Sequence, residues 1–303
     1  MRGSEFTELT AFAAIVEHGS FVRAAAHLGV TPSALSQTIR VLEERLGVRL
    51  LHRTTRSVAP SAAGERLIAR LQPALHALRD AVADVYEARD LVVGPLRINT
   101  LRLGARHVLG PALTEFCALY PEVVLDVVVD DAIVDIVASR FDAGIRLGER
   151  VDQDMIAVKV SPDLRLVLVA APSYIARHGA PTTPQALQQH RCLNGRIPTS
   201  GSLYRWELER GEEQLELAVQ GPVISNDWDL LLPACLGGVG IGYAFNTEVD
   251  GFLQDGRLVE LLPEWSVRFP GFHLYWPGRR HPSPALRALI DHLKARASSL
   301  PWS

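Results

Sequence analysis

The chain has 303 residues, of which 48% are apolar, 21% charged and 7% aromatic. At about 150 residues per domain this length predicts two globular domains, and the apolar fraction excludes a chain that is mainly disordered. The formal net charge of −3, from 31 basic and 34 acidic residues, excludes a uniformly cationic surface, so any nucleic-acid contact must come from a local basic patch.

The cysteines and the apolar runs indicate a cytoplasmic protein. Cys117, Cys192 and Cys235 are odd in number and far apart, which fits neither a disulfide framework nor a zinc site, so we expect no metal and no cofactor. No apolar run reaches the roughly 18 residues that span a bilayer, and the N-terminus lacks a signal-peptide pattern, so we expect no membrane partner. Residues Met1 to Phe6 are left out of the fold prediction.

Residues 7–60 are predicted to form an all-α, winged helix-turn-helix domain. Apolar residues recur at spacings of three and four, and capping and stop residues divide the segment into three helices. The stop signals are His18-Gly19, Gly29 and Gly47, and the caps are Ser20 and Thr31 followed by Pro32.

The third helix, which is predicted to run from Thr31 to Leu46, has two different faces. Leu35, Ile39, Leu42 and Leu46 cluster on one side, whereas the opposite side is short, polar and able to hydrogen-bond. A helix that enters the major groove needs such a face, although an amphipathic surface helix shows the same pattern. The residues expected to contact DNA here are Thr31, Pro32, Ser33, Ser36, Gln37 and Arg40.

The segment from Ser33 to Arg56 is locally basic and is called the basic window here. It contains five arginines and only two acidic residues, Glu43 and Glu44. The stretch from Val48 to Val58 is predicted to be a short hairpin, so Arg49, Arg53 and Arg56 are expected to form a wing that contacts phosphates and the minor groove. Solvated surface arginines are the alternative interpretation.

Residues 61–90 form one long helical pattern. Leu71, Leu75, Leu78, Val82 and Val85 repeat every 3.5 residues, which is typical of a coiled-coil seam. The sequence therefore predicts homodimerisation through this linker helix, with packing onto its own domain as the alternative. Pro73 is expected to kink the helix or to end its first turns.

Residues 91–303 are predicted to form an α/β domain. Short apolar runs such as Leu96 to Ile98, Ala143 to Arg146 and Val239 to Ile241 alternate with helical stretches, which favours parallel strands. Turn-rich stretches predict two subdomains. Subdomain I is expected to comprise residues 95–160 and 267–303, and subdomain II residues 161–266.

The cleft between these subdomains is the predicted ligand site. Ligands of such domains bind beyond the carboxyl ends of strands, and the polar groups expected there suit a small anion. Each of these residues can instead have a structural, domain-bridging role. The candidates are Asn99, Thr100, Leu101, Arg102 and Arg146 from subdomain I, and Arg196, Pro198, Thr199 and Asn226 from subdomain II.

An enzyme is the main rival interpretation. The glycine-rich run from Gly237 to Gly242 lacks the flanking pattern of a dinucleotide-binding loop and is predicted to be a tight entry into a strand. The sequence contains no phosphate-binding loop, no His-Glu-x-x-His pair and no Gly-x-Ser-x-Gly. We therefore expect no catalytic residues and no enzymatic activity. A free solute-binding protein is disfavoured by the helix-turn-helix and by the missing signal peptide.

A series of short motifs runs along most of the chain. They are Phe12, Gly19-Ser20-Phe21, Ala24-Ala25, Thr31 to Gln37, Leu42-Glu43, Leu46-Gly47, Leu50 to Arg53, Ser61 to Gly64, Tyr120-Pro121, Asp142 to Arg146, Pro172-Ser173-Tyr174 and Gly238 to Gly242. Together these motifs resemble the LysR-type transcriptional regulators, and the resemblance extends from about Glu8 to the C-terminus. Two positions depart mildly from the family pattern, at Leu51-His52 and at Ser61.

The resemblance implies a DNA-binding regulator of transcription with three parts. These are a winged helix-turn-helix, a dimerising linker helix and an effector domain similar to periplasmic solute-binding proteins. It further implies a homodimer or homotetramer on double-stranded operator DNA, controlled by a small molecule in the cleft. The effector, the operator and the sign of regulation are not implied.

Overall fold

The computed structural model describes residues 3–53, 58–87, 91–148, 154–197, 199–278 and 281–299. The chain divides into two compact units, Met1–Asp90 and Leu91–Ser303. None of the described helices is both long and apolar enough to cross a membrane.

The first unit begins with the three predicted helices, α1 (Gly3–His18), α2 (Phe21–Leu28) and α3 (Pro32–Leu46). Ser20 caps α2, and Gly29 closes it in the left-handed conformation with φ of 67°. Thr31 caps α3, and Gly47 closes it with φ of 66°. These positions need φ above zero, which glycine adopts without strain. The helix α1 starts at Gly3 and so extends beyond the N-terminal boundary of the predicted domain.

The core of this unit lies between the three helices. Leu35, Ile39 and Leu42 of α3 are fully buried, together with Phe12 and Ile15 of α1. The prediction was wrong for the fourth core residue, since Leu46 is 43% exposed. Leu46 is the last residue of α3, where the helix has passed the end of the core.

The predicted hairpin is present but shorter than expected. Strands β1 (Leu51–Arg53) and β2 (Val58–Pro60) pair antiparallel, whereas Val48 lies outside the strands. Helix α4 (Ala62–Glu87) follows directly and packs against β2 and α1. It continues through Pro73, so the proline does not end the first turns.

The apolar stripe of α4 divides into two parts. Leu71 and Leu75 are partly buried against the core of their own unit. At these two positions the helix therefore packs onto its own domain, which was the alternative to a dimer seam. Leu78, one turn further on, is 47% exposed. The side chains of Val82 and Val85 lie outside the described residues.

The second unit contains a mixed five-stranded sheet. Its strands are β3 (Gly94–Thr100), β4 (Val123–Val129), β5 (Ala143–Leu147), β6 (Met155–Lys159) and β15 (Phe272–Pro277). They lie in the order β4-β3-β5-β15-β6. β3 is parallel to β4 and β5, whereas β15 is antiparallel to β5 and β6. Helices α5 (Arg102–Gly104), α6 (Gly110–Leu119) and α10 (Pro284–Ser299) and a π-helical turn (Ala105–Leu109) complete this subdomain I.

The described part of subdomain II contains eight strands. They are β7 (Leu164–Ala170), β8 (Asn194–Gly195), β9 (Trp206–Arg210), β10 (Glu213–Leu217), β11 (Ile224–Ser225), β12 (Gly242–Phe245), β13 (Val259–Leu261) and β14 (Val267–Phe269). In the main sheet β12, β13 and β14 all pair with β7 antiparallel, so the expectation of parallel strands was wrong for this sheet. Its helices are α7 (Pro172–His178), α8 (Trp228–Leu236), α9 (Asn246–Gln254) and two 3-10 turns (Pro184–Gln189, Pro263–Trp265).

The glycine-rich run enters a strand, as predicted, but the strand lies later than expected. β12 starts at Gly242, and Val239 to Ile241 is not a strand. Gly238 has φ of 70°, and a Cβ there would lie 2.5 Å from Oγ of Ser173. Close backbone packing therefore explains this glycine.

The chain crosses between the subdomains twice, and the two crossings are hydrogen-bonded to each other. The backbone N–H of Val160 donates to the carbonyl of Phe272 at 2.8 Å, and Oγ of Ser161 accepts from the N–H of Phe272 at 2.7 Å. The two connecting segments therefore form one paired hinge.

Candidate functional site

The exposed face of α3 begins at its N-terminus. Oγ1 of Thr31 accepts a hydrogen bond from the N–H of Ala34 at 3.2 Å and lies 3.1 Å from Oγ of Ser33. Pro32 occupies the first helical position. Thr31, Pro32 and Ser33 are exposed, so this capped end of the helix is open to solvent.

The next turns carry the longer polar side chains. Gln37 and Arg40 are exposed, and Ser36 is half-buried. Arg40 pairs with Glu44 through Nε and Oε1 at 3.1 Å, with side chains 65% and 64% exposed. Such a pair contributes little to stability, so a phosphate or base edge can replace Glu44 at small cost.

One arginine of the basic window faces elsewhere. Arg45 donates to Oε2 of Glu8 on α1 at 2.7 Å and lies 3.8 Å from Glu5. It therefore joins α3 to α1 and does not extend the basic surface. Position in the sequence groups it with the other four arginines and does not reveal this difference.

The hairpin is anchored to α3 by Glu43. Its Oε1 accepts from the N–H of Leu50 at 2.8 Å and of Leu51 at 3.1 Å. Arg49, which immediately precedes these residues, is exposed. The side chain of Arg53 and the whole of Arg56 lie outside the described residues.

In the second unit, Asn99 and Arg146 contact each other inside subdomain I. Nη2 of Arg146 donates to Oδ1 of Asn99 at 2.6 Å and to the carbonyl of Ala132 at 2.8 Å, and Nη1 donates to the carbonyl of Asp130 at 2.9 Å. Asn99 is fully buried, and Arg146 is 4% exposed. The expectation that Arg146 faces the cleft was wrong, because its guanidinium ties β5 to the chain after β4.

Thr100 is also buried. It is the last residue of β3, and Oγ1 donates to the carbonyl of Leu101 at 3.1 Å beneath Gly104. Leu101 is partly buried against the core. Arg102 is 49% exposed, and Asp131 accepts from its backbone N–H at 2.8 Å and approaches its Nε at 3.7 Å. Of the predicted subdomain I residues, Arg102 is thus the one whose charged group reaches solvent.

The predicted subdomain II residues follow two paired strands. β8 and β11 are parallel, and the N–H of Arg196 donates to the carbonyl of Ser225 at 3.0 Å. Arg196 and Asn226 therefore lie at neighbouring strand ends, and both are exposed. Thr199 is exposed in the loop after Arg196, and Pro198 lies outside the described residues.

Sequence reasoning missed a charged group of three residues near Asn226. Arg106 in the π-helical turn of subdomain I forms an ion pair with Asp229 in the first turn of α8. Glu248 on α9 interacts electrostatically with both residues. Arg106 lies four residues after Arg102, so the helical spacing of these two arginines is the feature of the sequence that could have identified it.

Glu248 is half-buried, whereas Arg106 and Asp229 are exposed. Burial raises the pKa of its carboxyl to about 7, although hydrogen bonds from the N–H of Phe245 and the side chain of Trp228 act in the opposite direction. It borders a small cavity beneath α8 that is also lined by Leu231, Cys235 and Ala244. The carboxyl therefore titrates in the physiological range.

Potential metal ligands are scattered over the described part of the chain, and two of the three cysteines are buried. Among the described residues no three His, Cys, Asp or Glu side chains are grouped as a metal site requires. Burial raises the pKa of Cys192 to about 12 and that of Cys235 to about 11, so both stay protonated and are poor nucleophiles.

Two family models together match nearly the whole chain. Residues 6–65 match the bacterial regulatory helix-turn-helix protein, lysR family, and residues 89–298 match the LysR substrate binding domain. The first match ends within the first turn of α4, and the second begins just after α4 ends.

Curated relatives are similar over almost their full lengths. The HTH-type transcriptional regulator PgrR of Escherichia coli K12 is 39% identical over 98% of this chain and 100% of its own. A putative transcriptional regulator of Pseudomonas aeruginosa PAO1 is 42% identical over 95% of this chain and 94% of its own.

Solved full-length structures show the same fold. CrgA, a LysR-type regulator from Neisseria meningitidis, is 29% identical with a TM-score of 0.61, covering 97% of this chain and 99% of CrgA. AphB, a virulence activator of Vibrio cholerae, is 25% identical with a TM-score of 0.62, covering 97% and 99%. The helix-turn-helix, the linker helix and the two-subdomain α/β unit thus occur in one chain for a common reason: this protein belongs to the LysR family of transcriptional regulators.

Proposed function

We propose that the protein binds a specific operator through the exposed face of α3 and through the hairpin that follows it. In this assignment Ser33, Ser36, Gln37 and Arg40 contact base edges or the adjoining phosphates, and Arg49, Arg53 and Arg56 contact the backbone. Thr31 and Pro32 position the start of the helix.

The observation that carries this assignment is the division of α3 into two faces. Leu35, Ile39 and Leu42 are buried to 2% exposure or less, while Gln37 and Arg40 on the other side are exposed. Glu43 holds the hairpin against the same helix. A rigid polar face flanked by basic residues suits the major groove, where bidentate contacts from Gln and Arg discriminate between bases.

We further propose that a small carboxylate-bearing effector binds between the two subdomains. The support is electrostatic and topological, because Arg106 of subdomain I contacts Asp229 of subdomain II, which follows the strand end at Asn226 by three residues. Asn99, Thr100 and Arg146 shape this wall from inside. Effector binding can change operator affinity only if it favours one arrangement of the subdomains over the other.

The assembly that we propose is a homodimer or a pair of dimers in the cytoplasm, joined through α4 beyond Pro73. The exposed Leu78 supports this assignment, since Leu71 and Leu75 already pack within the chain. A dimer also suits an operator with two half-sites.

DNase I footprinting of the purified protein on DNA upstream of its own gene tests the proposal. We expect a protected region at nanomolar protein that competitor DNA does not remove, and a changed pattern when the effector is present. Protection that disappears with competitor DNA would contradict a specific operator. Carboxylates that bind without changing the footprint would contradict the effector role.

A further inference from the structure

An ion pair joins the two subdomains in addition to the paired hinge. Nη2 of Arg106, in the π-helical turn after β3, donates to Oδ2 of Asp229 in the first turn of α8, 123 residues further along the chain. This hydrogen bond is the largest contribution that raises the pKa of Arg106 and lowers the pKa of Asp229. The two subdomains are therefore held together at this point by opposite charges.

Each partner of the pair has neighbours of its own sign. Arg102, one turn before Arg106, also lowers the pKa of Asp229, and Asp227 and Glu248 also raise the pKa of Arg106. Subdomain I thus presents two guanidinium groups to this region, with Asp131 beside that of Arg102, and subdomain II presents carboxyl groups.

The pair is accessible to a ligand. The side chain of Arg106 is 45% exposed and that of Asp229 is 40% exposed. A solvent-exposed ion pair contributes little to stability, so a ligand can displace either partner at small cost.

The charges around the pair restrict the charge of the ligand. A simple carboxylate that binds Arg106 would lie beside the carboxylates of Asp229 and Asp227, and like charges repel each other. An amine that binds Asp229 would lie beside the guanidinium groups of Arg106 and Arg102. A molecule that carries a carboxylate and an ammonium group on the same carbon atom pairs with both residues when it inserts between them.

We infer that Arg106 and Asp229 form the recognition site for an α-amino acid head group. Arg106 binds the carboxylate, and Asp229 binds the ammonium group. The inference rests on the proposed effector role and specifies the chemical class of the effector. Because insertion separates two residues on different subdomains, it also couples ligand binding to the arrangement of the subdomains.

Isothermal titration calorimetry on the full chain tests this site. The probes are the twenty free L-amino acids and, for the one that binds most tightly, the carboxylic acid without its amino group and the amine without its carboxylate. We expect both analogues to bind at least about tenfold more weakly than the amino acid, because each lacks one charge-assisted contact.

Variants identify the residues. Arg106→Ala and Asp229→Asn should each weaken binding of that amino acid by about tenfold or more. Arg205→Ala is the matched control, because it removes an exposed ion pair with Glu216 within subdomain II and should leave binding unchanged. Circular dichroism verifies that each variant is folded. Arg106→Lys repeats the test with a side chain that keeps the positive charge but cannot bind a carboxylate through two parallel N–H groups.

Two results would overturn the inference. One is binding of the carboxylic acid analogue as tightly as the amino acid, with Asp229→Asn no weaker. The other is the absence of binding by all twenty amino acids. Neither result decides whether the protein has an effector at all. The footprint tests that role separately, and a footprint that no small molecule alters would contradict it.

Discussion

Gly64 at the start of α4 lies directly against the backbone carbonyl of Leu50. A Cβ on Gly64 would approach that oxygen to 2.1 Å, and the same oxygen accepts a hydrogen bond from the N–H of Ser61 at 2.8 Å. The absence of a side chain thus allows the linker helix to pack against the residue that precedes the hairpin.

Gly64→Ala should therefore destabilise the helix-turn-helix unit. We expect a loss of about 1–3 kcal/mol, because the backbone must shift to admit the methyl group. Thermal unfolding followed by circular dichroism measures the change. Gly251→Ala on α9 is the control, since that position has open space around it and should be neutral or slightly stabilised. An unchanged transition for Gly64→Ala would contradict the close contact.

Leu78→Asp combined with Val82→Asp should dissociate the dimer. Like charges would face each other across the proposed seam, and operator binding should fall with dimerisation. Light scattering measures the mass in solution. Ala77→Asp, exposed and off the 3.5-residue repeat, should leave the dimer intact. A double variant that remains dimeric would place the interface elsewhere.

Glu248 should make the stability of the effector domain depend on pH. Its pKa of about 7 in the folded state is raised from 4.5, so the folded form holds the proton more tightly than the unfolded form. Stability is then fully present below pH 4.5, falls as the pH rises towards 7 and levels off above it, by about 3 kcal/mol in total.

Glu248→Gln should remove this dependence and stabilise the protein at pH 8 relative to the wild type. Unfolding in urea at pH 5 and pH 8 measures the effect. The exposed Glu212→Gln serves as the control and should keep the wild-type dependence. Equal pH dependence in the wild type and in Glu248→Gln would show that another group is responsible.

Arg146→Ala should lower stability rather than only effector affinity. The substitution leaves the carbonyls of Asp130 and Ala132 and the amide of Asn99 without their donor, at a cost of about 1–3 kcal/mol. Arg102→Ala, which removes an exposed pair with Asp131, should cost no more than about 1 kcal/mol. Thermal unfolding compares the two, and an equally stable Arg146→Ala would refute the structural role.

Local signals explain which features could be predicted from the sequence. Caps and stops such as Thr31, Gly29 and Gly47 act within a few residues, so the helices of the first unit could be located from the sequence alone. The two faces of α3 follow from helical periodicity in the same way. The prediction that Leu46 is buried was wrong because periodicity does not show where the core ends.

Long-range contacts explain what could not be predicted. A strand-end arginine has the same sequence context whether it faces a cleft or, like Arg146, hydrogen-bonds buried carbonyls. Arg106 and Asp229 are 123 residues apart, and nothing local marks them as partners. The topology that brings α8 beside the π-helical turn determines that contact.

Operator recognition by the polar face of α3 is tested most directly by fluorescence anisotropy. The footprinted operator is titrated with Gln37→Ala, with Arg40→Ala and with the wild type. We predict that each variant binds the operator about 1–3 kcal/mol more weakly, with Gln37→Ala unchanged on unrelated DNA and Arg205→Ala unchanged on both. Wild-type operator affinity in both α3 variants, with circular dichroism showing folded protein, would contradict the assignment.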